Sequence, residues 1–355
     1  MTNAFTASGL LGNLLRDEII AAEFDTACFS QRMLAFETAW TRALLRSGVV
    51  TDADATAALA AIERFAAAPW PATLGEGSGR DGLPVPAMVA ALRTGLSDGA
   101  ARAIHSGATS QDVMDTAAML TCLSVASILE DRLTRVVAAI GALEMRFGDR
   151  PLMARTRMQA AIPATVALRL GAWRRPIEAH LERLGPLRTE LGRVQIGGAV
   201  GLRDAPAGAA DDVAADVADA LGLTLGPVWQ TDRSAVVGFG HWLSLVAGSL
   251  GKIGQDVALM AQQGVDEIML GGGGGSSAMS HKRNPVAAEA MVALARFVGG
   301  QQSVLAQAMI HEQERSGAAW ALEWLTLPLM AEATGAALRH AQSLLALVER
   351  IGTGG

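Results

Sequence analysis

Apolar positions recur along the chain with helical rather than strand spacing. Met119, Cys122, Ala126, Leu129, Leu133, Val136, Ile140, Leu143 and Phe147 follow one another at alternating steps of three and four, which places about four heptads on one face of a single helix. A second stripe comprises Phe239, Trp242, Val246, Ser249, Ile253, Val257 and Met260. It is interspersed with glycine and alanine, so neighbouring helices can approach it closely. A third helix is expected from Pro285, with Asn284 as its N-cap, towards Glu312. No segment alternates convincingly as a strand, and there is no internal repeat. Helices of about 25 to 35 residues exceed the usual mean of about 12. They predict an all-α fold built as a long-helix bundle.

Three breaks punctuate the pattern. Residues 69–87 are rich in proline and glycine, residues 196–211 form a second break, and residues 264–285 carry five consecutive glycines, Gly271 to Gly275. A small N-terminal helical domain is therefore expected over 1–104 and the bundle over 105–355. The uncharged stretch Ala235–Gly251 contains His241, serines and glycines, and reads as a buried helix rather than a membrane span.

Composition narrows the function. With 29 Lys+Arg against 35 Asp+Glu the net charge is −6. Without a basic tail this argues against nucleic acid as the main partner. Two cysteines, Cys28 and Cys122, form neither a disulfide framework nor a zinc spacing. Residues 1–15 do not read as a signal peptide, and a cytoplasmic setting is expected. The six histidines include no pair at i, i+4, so no metal site is expected.

Three separated segments carry chemistry. His105-Ser106-Gly107-Ala108-Thr109-Ser110-Gln111-Asp112 directly precedes the first long helix. Hydroxyls, amides and free backbone N–H groups at a helix start suit an anion, although ordinary capping accounts for the same residues. Met153 to Gln159 places Arg155 and Arg157 on either side of Thr156. Guanidinium groups read carboxylates bidentately, but a solvated basic turn would look the same. Gly271 to Pro285 runs from the glycines through two serines to His281, Lys282, Arg283 and Asn284. It lacks P-loop spacing, and its glycines suit a mobile lid.

Together these segments resemble the fumarase/aspartase superfamily. Gly275 to Pro285 is similar to its signature GSSxMPxKxNP, with Ser280 in place of the usual proline. TSQD at 109–112 and Arg-Thr-x-x-Gln at 155–159 resemble the other two blocks, in the same order. The resemblance covers nearly the whole chain. It implies a homotetramer around a twenty-helix core, with each active site shared between subunits. Within the superfamily, HSGATSQDVMDTA (105–117), LVAGSLGKIGQDVALMAQ (245–262), SHKRNPV (280–286) and HEQERSGAAWALEWLTLP (311–328) resemble the 3-carboxy-cis,cis-muconate cycloisomerase branch. Arg157 stands where many superfamily lyases carry a histidine. The chain also stops where longer relatives continue, so their small helical third domain is expected to be absent.

This resemblance implies an intramolecular addition of a carboxylate to a double bond, in protocatechuate (β-ketoadipate pathway) degradation. It implies no cofactor, because the nucleophile lies within a small polycarboxylate substrate. Ser276 is the implied proton carrier, and Lys282 and Asn284 hold a substrate carboxylate at the helix start. Thr109, Ser110, Gln111 and Gln159 donate hydrogen bonds, and Arg315 pairs a second carboxylate. Arg155, Arg157 and Arg283 are further partners for a trianion, while His105 and His281 orient the loop or substrate. The alternatives are a fumarate-releasing lyase of the adenylosuccinate or argininosuccinate type and a non-catalytic helical scaffold.

Overall fold

The computed structural model describes residues 10–71, 73–275, 279 and 282–353. The N-terminal part comprises α1 Gly12–Leu15, α2 Glu18–Glu23, α3 Thr26–Arg46, α4 Asp52–Ala67, α5 Thr73–Asp81, α6 Val85–Arg93 and α7 Asp98–Arg102. The long helix α8, Ser110–Phe147, follows, and then the hairpin β1 Pro151–Thr156 and β2 Gln159–Thr165. Next come α9 Val166–Glu182, α10 Leu184–Leu191, α11 Ala210–Leu221 and α12 Ser234–Met260. Short strands β3 Ile268–Leu270, β4 Gly274–Gly275 and β5 Arg283–Asn284 lead into α13 Val286–Leu305. Helix α14, Ala318–Ala346, and strand β6, Val348–Ile351, complete the order.

The predicted stripes are the core. Every member of the Met119–Phe147 series is buried along the 38 residues of α8. In α12 the second stripe is buried except Ser249, which is partly exposed and bonded to His180 at 2.8 Å. The expected close approach occurs between α12 and α13. A Cβ on Gly254 would lie 2.5 Å from the Ala288 carbonyl oxygen, and one on Gly251 would lie 2.5 Å from the Ala295 Cβ. By length and composition both α8 and α12 could cross a bilayer, but their apolar faces are spent on one core shared with α9, α10, α13 and α14.

A second core joins α3, α4 and α6 to residues from the middle of the chain. Phe36, Trp40, Leu44, Met88 and Leu92 pack with Val194 and Ile196, with Val213 and Val217 of α11, and with Trp320 of α14. Side chains cap the helices of this part. Asp25 accepts from the Cys28 N–H, Thr51 from Asp54 and Ser97 from Ala100, satisfying first-turn donors that the helix itself leaves unpaired.

Several expectations need correction. The segment 69–87 is not simply a break, because α5 forms within it. Leu74 is buried, and a Cβ on Gly77 would meet the Ala87 Cβ at 2.5 Å, so this glycine permits packing against α6. Short strands exist despite the absence of an alternating pattern. The third long helix begins at Val286, with Pro285 at the N-cap position, and α-helical geometry ends at Leu305. Asn284 does not cap it, because Asn284 is paired with Gly274 in the β4–β5 ladder.

Candidate active site

The start of α8 is built as a polar cluster. Asp112 accepts from the N–H of Thr109 at 3.0 Å, and from those of Gly197 and Gly198 at 2.8 and 3.2 Å. It thereby closes the helix start and ties down the 196–203 loop. Burial raises its pKa to about 6, against the lowering effect of those three N–H groups. His105 has a positive φ and meets the buried Glu37 carboxylate at 2.6 Å through Nδ1. Ser110 makes no side-chain hydrogen bond among the described residues.

Arg315 reaches this helix start from the segment preceding α14. Its Nε donates to Gln111 Oε1 at 2.9 Å, and one terminal nitrogen donates to Thr109 Oγ1 at 3.0 Å and the Ala199 carbonyl at 3.1 Å. All three acceptors are neutral. Among the described residues no carboxylate pairs with this exposed guanidinium, so its charge remains available to an anion. Gln111 is wholly buried and its amide is committed within the chain. Besides accepting from Arg315, it donates to Asp115 Oδ2 at 3.0 Å and to the Gln230 carbonyl at 2.7 Å.

Asp115 belongs to a buried charge cluster. Arg233, fully buried just before α12, donates to both oxygens of Asp115 at 2.7 and 2.9 Å and to both of Glu323 at 2.7 and 2.6 Å. Trp320 Nε1 adds a bond to Asp115 at 3.0 Å. Burial and the nearby Asp115 charge raise Glu323 to about 7, against the lowering effect of Arg233. Close by, burial and Arg233 lower the pKa of His311, whose two ring nitrogens are both buried without a partner among the described residues. The motifs quoted above contain Asp115, Glu323 and Trp320 but assigned them no role, and Arg233 was missed. Their signal is a charged residue placed inside, or at the head of, a long apolar helix.

Of the other predicted residues, those on the hairpin and at the start of α13 lie at the opposite end of the bundle. Arg155, Arg157 and Gln159 sit on the β1–β2 hairpin that follows the C-terminus of α8, and all three are exposed. Arg155 is neutralised by Glu267 at 2.8 Å. Arg157 has no carboxylate partner among the described residues. With Arg155, Arg169, Lys252 and Glu267 it lines a cavity of about 450 Å³. Arg157 and Met158 form the hairpin turn with φ of 50° and 67°, a conformation that normally selects Asn and Gly. Arg283 and Asn284 form β5, which adjoins the start of α13 at this same end, and Lys282 and Arg283 are exposed. Ser276 and His281 lie outside the described residues.

The three blocks therefore do not meet within one chain. Thr109, Ser110 and Arg315 occupy one end of α8, and the hairpin residues with Lys282, Arg283 and Asn284 occupy the other. The 38 residues of α8 separate these ends by about 57 Å at the helical rise of about 1.5 Å per residue. Each end offers unpaired cationic or hydroxyl groups suited to carboxylates, and neither holds the whole set. No cluster of three or more metal-ligating side chains is present among the described residues.

Known proteins match this architecture. A family model described as lyase matches residues 1–300. The chain is 38% identical over 352 residues to the 3-carboxy-cis,cis-muconate cycloisomerase of Pseudomonas aeruginosa, covering 95% of this chain and 76% of that protein. It is 35% identical over 349 residues to the Pseudomonas putida protein of the same name, covering 95% and 82%. The crystal structure of 3-carboxy-cis,cis-muconate lactonizing enzyme from Pseudomonas putida superposes with a TM-score of 0.89 at 35% identity, covering 96% of this chain and 77% of that one.

Proposed function

Because the chain belongs to the lyase family of the fumarase/aspartase superfamily, we propose that it is a cycloisomerase that lactonises 3-carboxy-cis,cis-muconate to 4-carboxymuconolactone in aromatic-compound catabolism. The observation that carries this reading is the likeness to cycloisomerases over 95% of the chain. The geometry agrees with it, since a trianionic substrate calls for several uncompensated donors. Arg315 and the α8 N-terminus offer such donors at one end of the bundle, and Arg157 and Lys282 offer them at the other.

In the reaction, one substrate carboxylate oxygen bonds to an alkene carbon, and a proton is delivered to the carbon α to another carboxylate. No leaving group departs and no electrons are exchanged, so the chemistry requires no cofactor. The difficult species is the carbanion, which is stabilised as an aci-carboxylate by fixed positive charge and hydrogen-bond donors. Arg315, Thr109 and Ser110 hold one carboxylate, while Lys282 and Asn284 hold another. Gln159 contributes a further donor, and Ser276 delivers the proton. Since one chain separates Arg315, Thr109 and Ser110 from Gln159, Lys282 and Asn284 by the length of α8, the complete site forms between chains of a homo-oligomer, with one supplying the Arg315 end and another the hairpin end. The protein acts in the cytoplasm.

The test is direct. Purified protein is added to 3-carboxy-cis,cis-muconate and the loss of conjugated-diene absorbance is followed. Turnover is expected, together with a fall in kcat of at least about 100-fold in Ser276→Ala, the scale of general acid–base catalysis. Folded, oligomeric wild-type protein that leaves the absorbance unchanged would overturn the assignment and favour a fumarate-releasing substrate.

A further inference from the structure

We infer that Asp115 and Gln111 are positioning residues. They form a buried relay that sets the orientation of Arg315, the group proposed above to receive a substrate carboxylate. The inference deepens that reading and rests on it for the identity of the substrate.

A carboxylate only accepts hydrogen bonds, as does a backbone carbonyl. The Gln111 NH2 group lies between two such acceptors, Asp115 Oδ2 at 3.0 Å and the Gln230 carbonyl at 2.7 Å. Its amide can therefore adopt only one orientation, and Oε1 must face Arg315 Nε, 2.9 Å away. Asp115 is itself immobilised by Arg233 through two bonds and by Trp320 through a third. With Nε and one terminal nitrogen engaged, the guanidinium plane is fixed. The other terminal nitrogen has no partner among the described residues, and it forms the edge that meets the ligand. The relay uses neutral acceptors at its last step, so it orients the cation without neutralising it. A carboxylate at position 111 would cancel the charge of Arg315 and could not donate to Asp115 or the Gln230 carbonyl, so it would lose the contacts that fix the relay.

Asp115→Asn keeps the shape, but its NH2 group must face either the Gln111 NH2 or the N–H donors of Arg233 and Trp320, so one acceptor of the relay is lost and Gln111 is no longer clamped from both sides. Gln111→Met removes the relay while leaving Asp115 bonded to Arg233 and Trp320. Steady-state kinetics on 3-carboxy-cis,cis-muconate should show KM raised at least about tenfold in either variant, with kcat within about threefold of wild type. A merely structural lesion reduces the number of active molecules, lowering apparent kcat and leaving KM unchanged. The second readout needs no turnover. Phenylglyoxal labelling of Arg315, followed by peptide mass spectrometry with the other arginines as internal references, should be faster by at least about threefold in the variants, because the guanidinium is no longer held.

If wild-type protein does not turn over the muconate and Arg315 labelling still accelerates in the variants, the proposed reaction fails and the positioning relay stands. If KM and labelling are both unchanged in the variants, the relay is overturned. Should Asp115→Asn not fold, Gln111→Met carries the same test.

Discussion

Replacing Arg233 by methionine tests whether the buried charge cluster ties the helices together. Arg233 is fully buried between Asp115 of α8 and Glu323 of α14. Its four bonds to them measure 2.6 to 2.9 Å. In Arg233→Met, Asp115 keeps Trp320 and Gln111 as donors, whereas Glu323 keeps none among the described residues. Deleting one partner of a buried pair costs about 3–5 kcal/mol, because a desolvated charge is left without compensation. That loss is expected at pH 7 in urea unfolding followed by far-UV circular dichroism. Protein concentration must be fixed, since subunit dissociation couples to unfolding. The pH dependence adds a second requirement. Burial and Asp115 already hold Glu323 at about 7, and removing the guanidinium raises it further. The folded variant then binds more protons than folded wild type, so its deficit must shrink as pH falls from 7 to 5, by up to about 0.4 kcal/mol for a wild-type group at about 7. Adding Glu323→Gln should recover about half of the loss at pH 7. A deficit below about 1 kcal/mol at pH 7, or one that grows on acidification, would refute the reasoning.

Three further outcomes follow from other parts of the molecule. His180 is buried with its pKa lowered to about 4 by burial and Arg183; the unfolded chain takes up the proton first, so the stability this residue contributes is present above about pH 6.5 and is lost as pH falls towards 4. His180→Gln should flatten that part of the stability profile by up to about 3 kcal/mol, read from urea midpoints between pH 7 and 4. At the hairpin turn, Met158 is exposed with φ of 67°, and Met158→Gly should raise the unfolding midpoint by the equivalent of about 1 kcal/mol. Because Arg315 has only neutral acceptors, Arg315→Met should raise KM for the muconate by about 100-fold or more, whereas Arg155→Met, whose charge is already met by Glu267, should raise KM by less than about tenfold in the same kinetic assay.

The long helices were legible because one force dominates them. A stripe such as Met119–Phe147 is repeated so often that no local signal can override it, and every member proved buried. The β1–β2 hairpin was not legible, because its turn is Arg157-Met158 where glycine or asparagine would advertise the geometry. Helix α5 was hidden by the same bias in reverse: its glycines look like a break, and only the contact of Gly77 with Ala87 shows that one of them is a packing surface. Single residues where helices meet were also opaque, since Asp115, Arg233 and Glu323 lie far apart in sequence and meet only through the packing of α8, α12 and α14.

The chemistry followed a different logic. The family resemblance put Arg315 forward as the partner of a second carboxylate and Arg155 only as a further partner, without a physical reason for that order. What separates them is the charge of their acceptors. Arg155 meets a carboxylate at 2.8 Å and is electrically spent. Arg315 meets an amide oxygen, a hydroxyl and a backbone carbonyl, which fix its geometry and leave its charge intact. A binding cation must be both held and unneutralised, because a loose guanidinium loses side-chain entropy on binding and a paired one must first lose its partner. The burial of Asp115 one layer further back serves both requirements: its charge is balanced by Arg233, and its influence reaches Arg315 only through the neutral amide of Gln111.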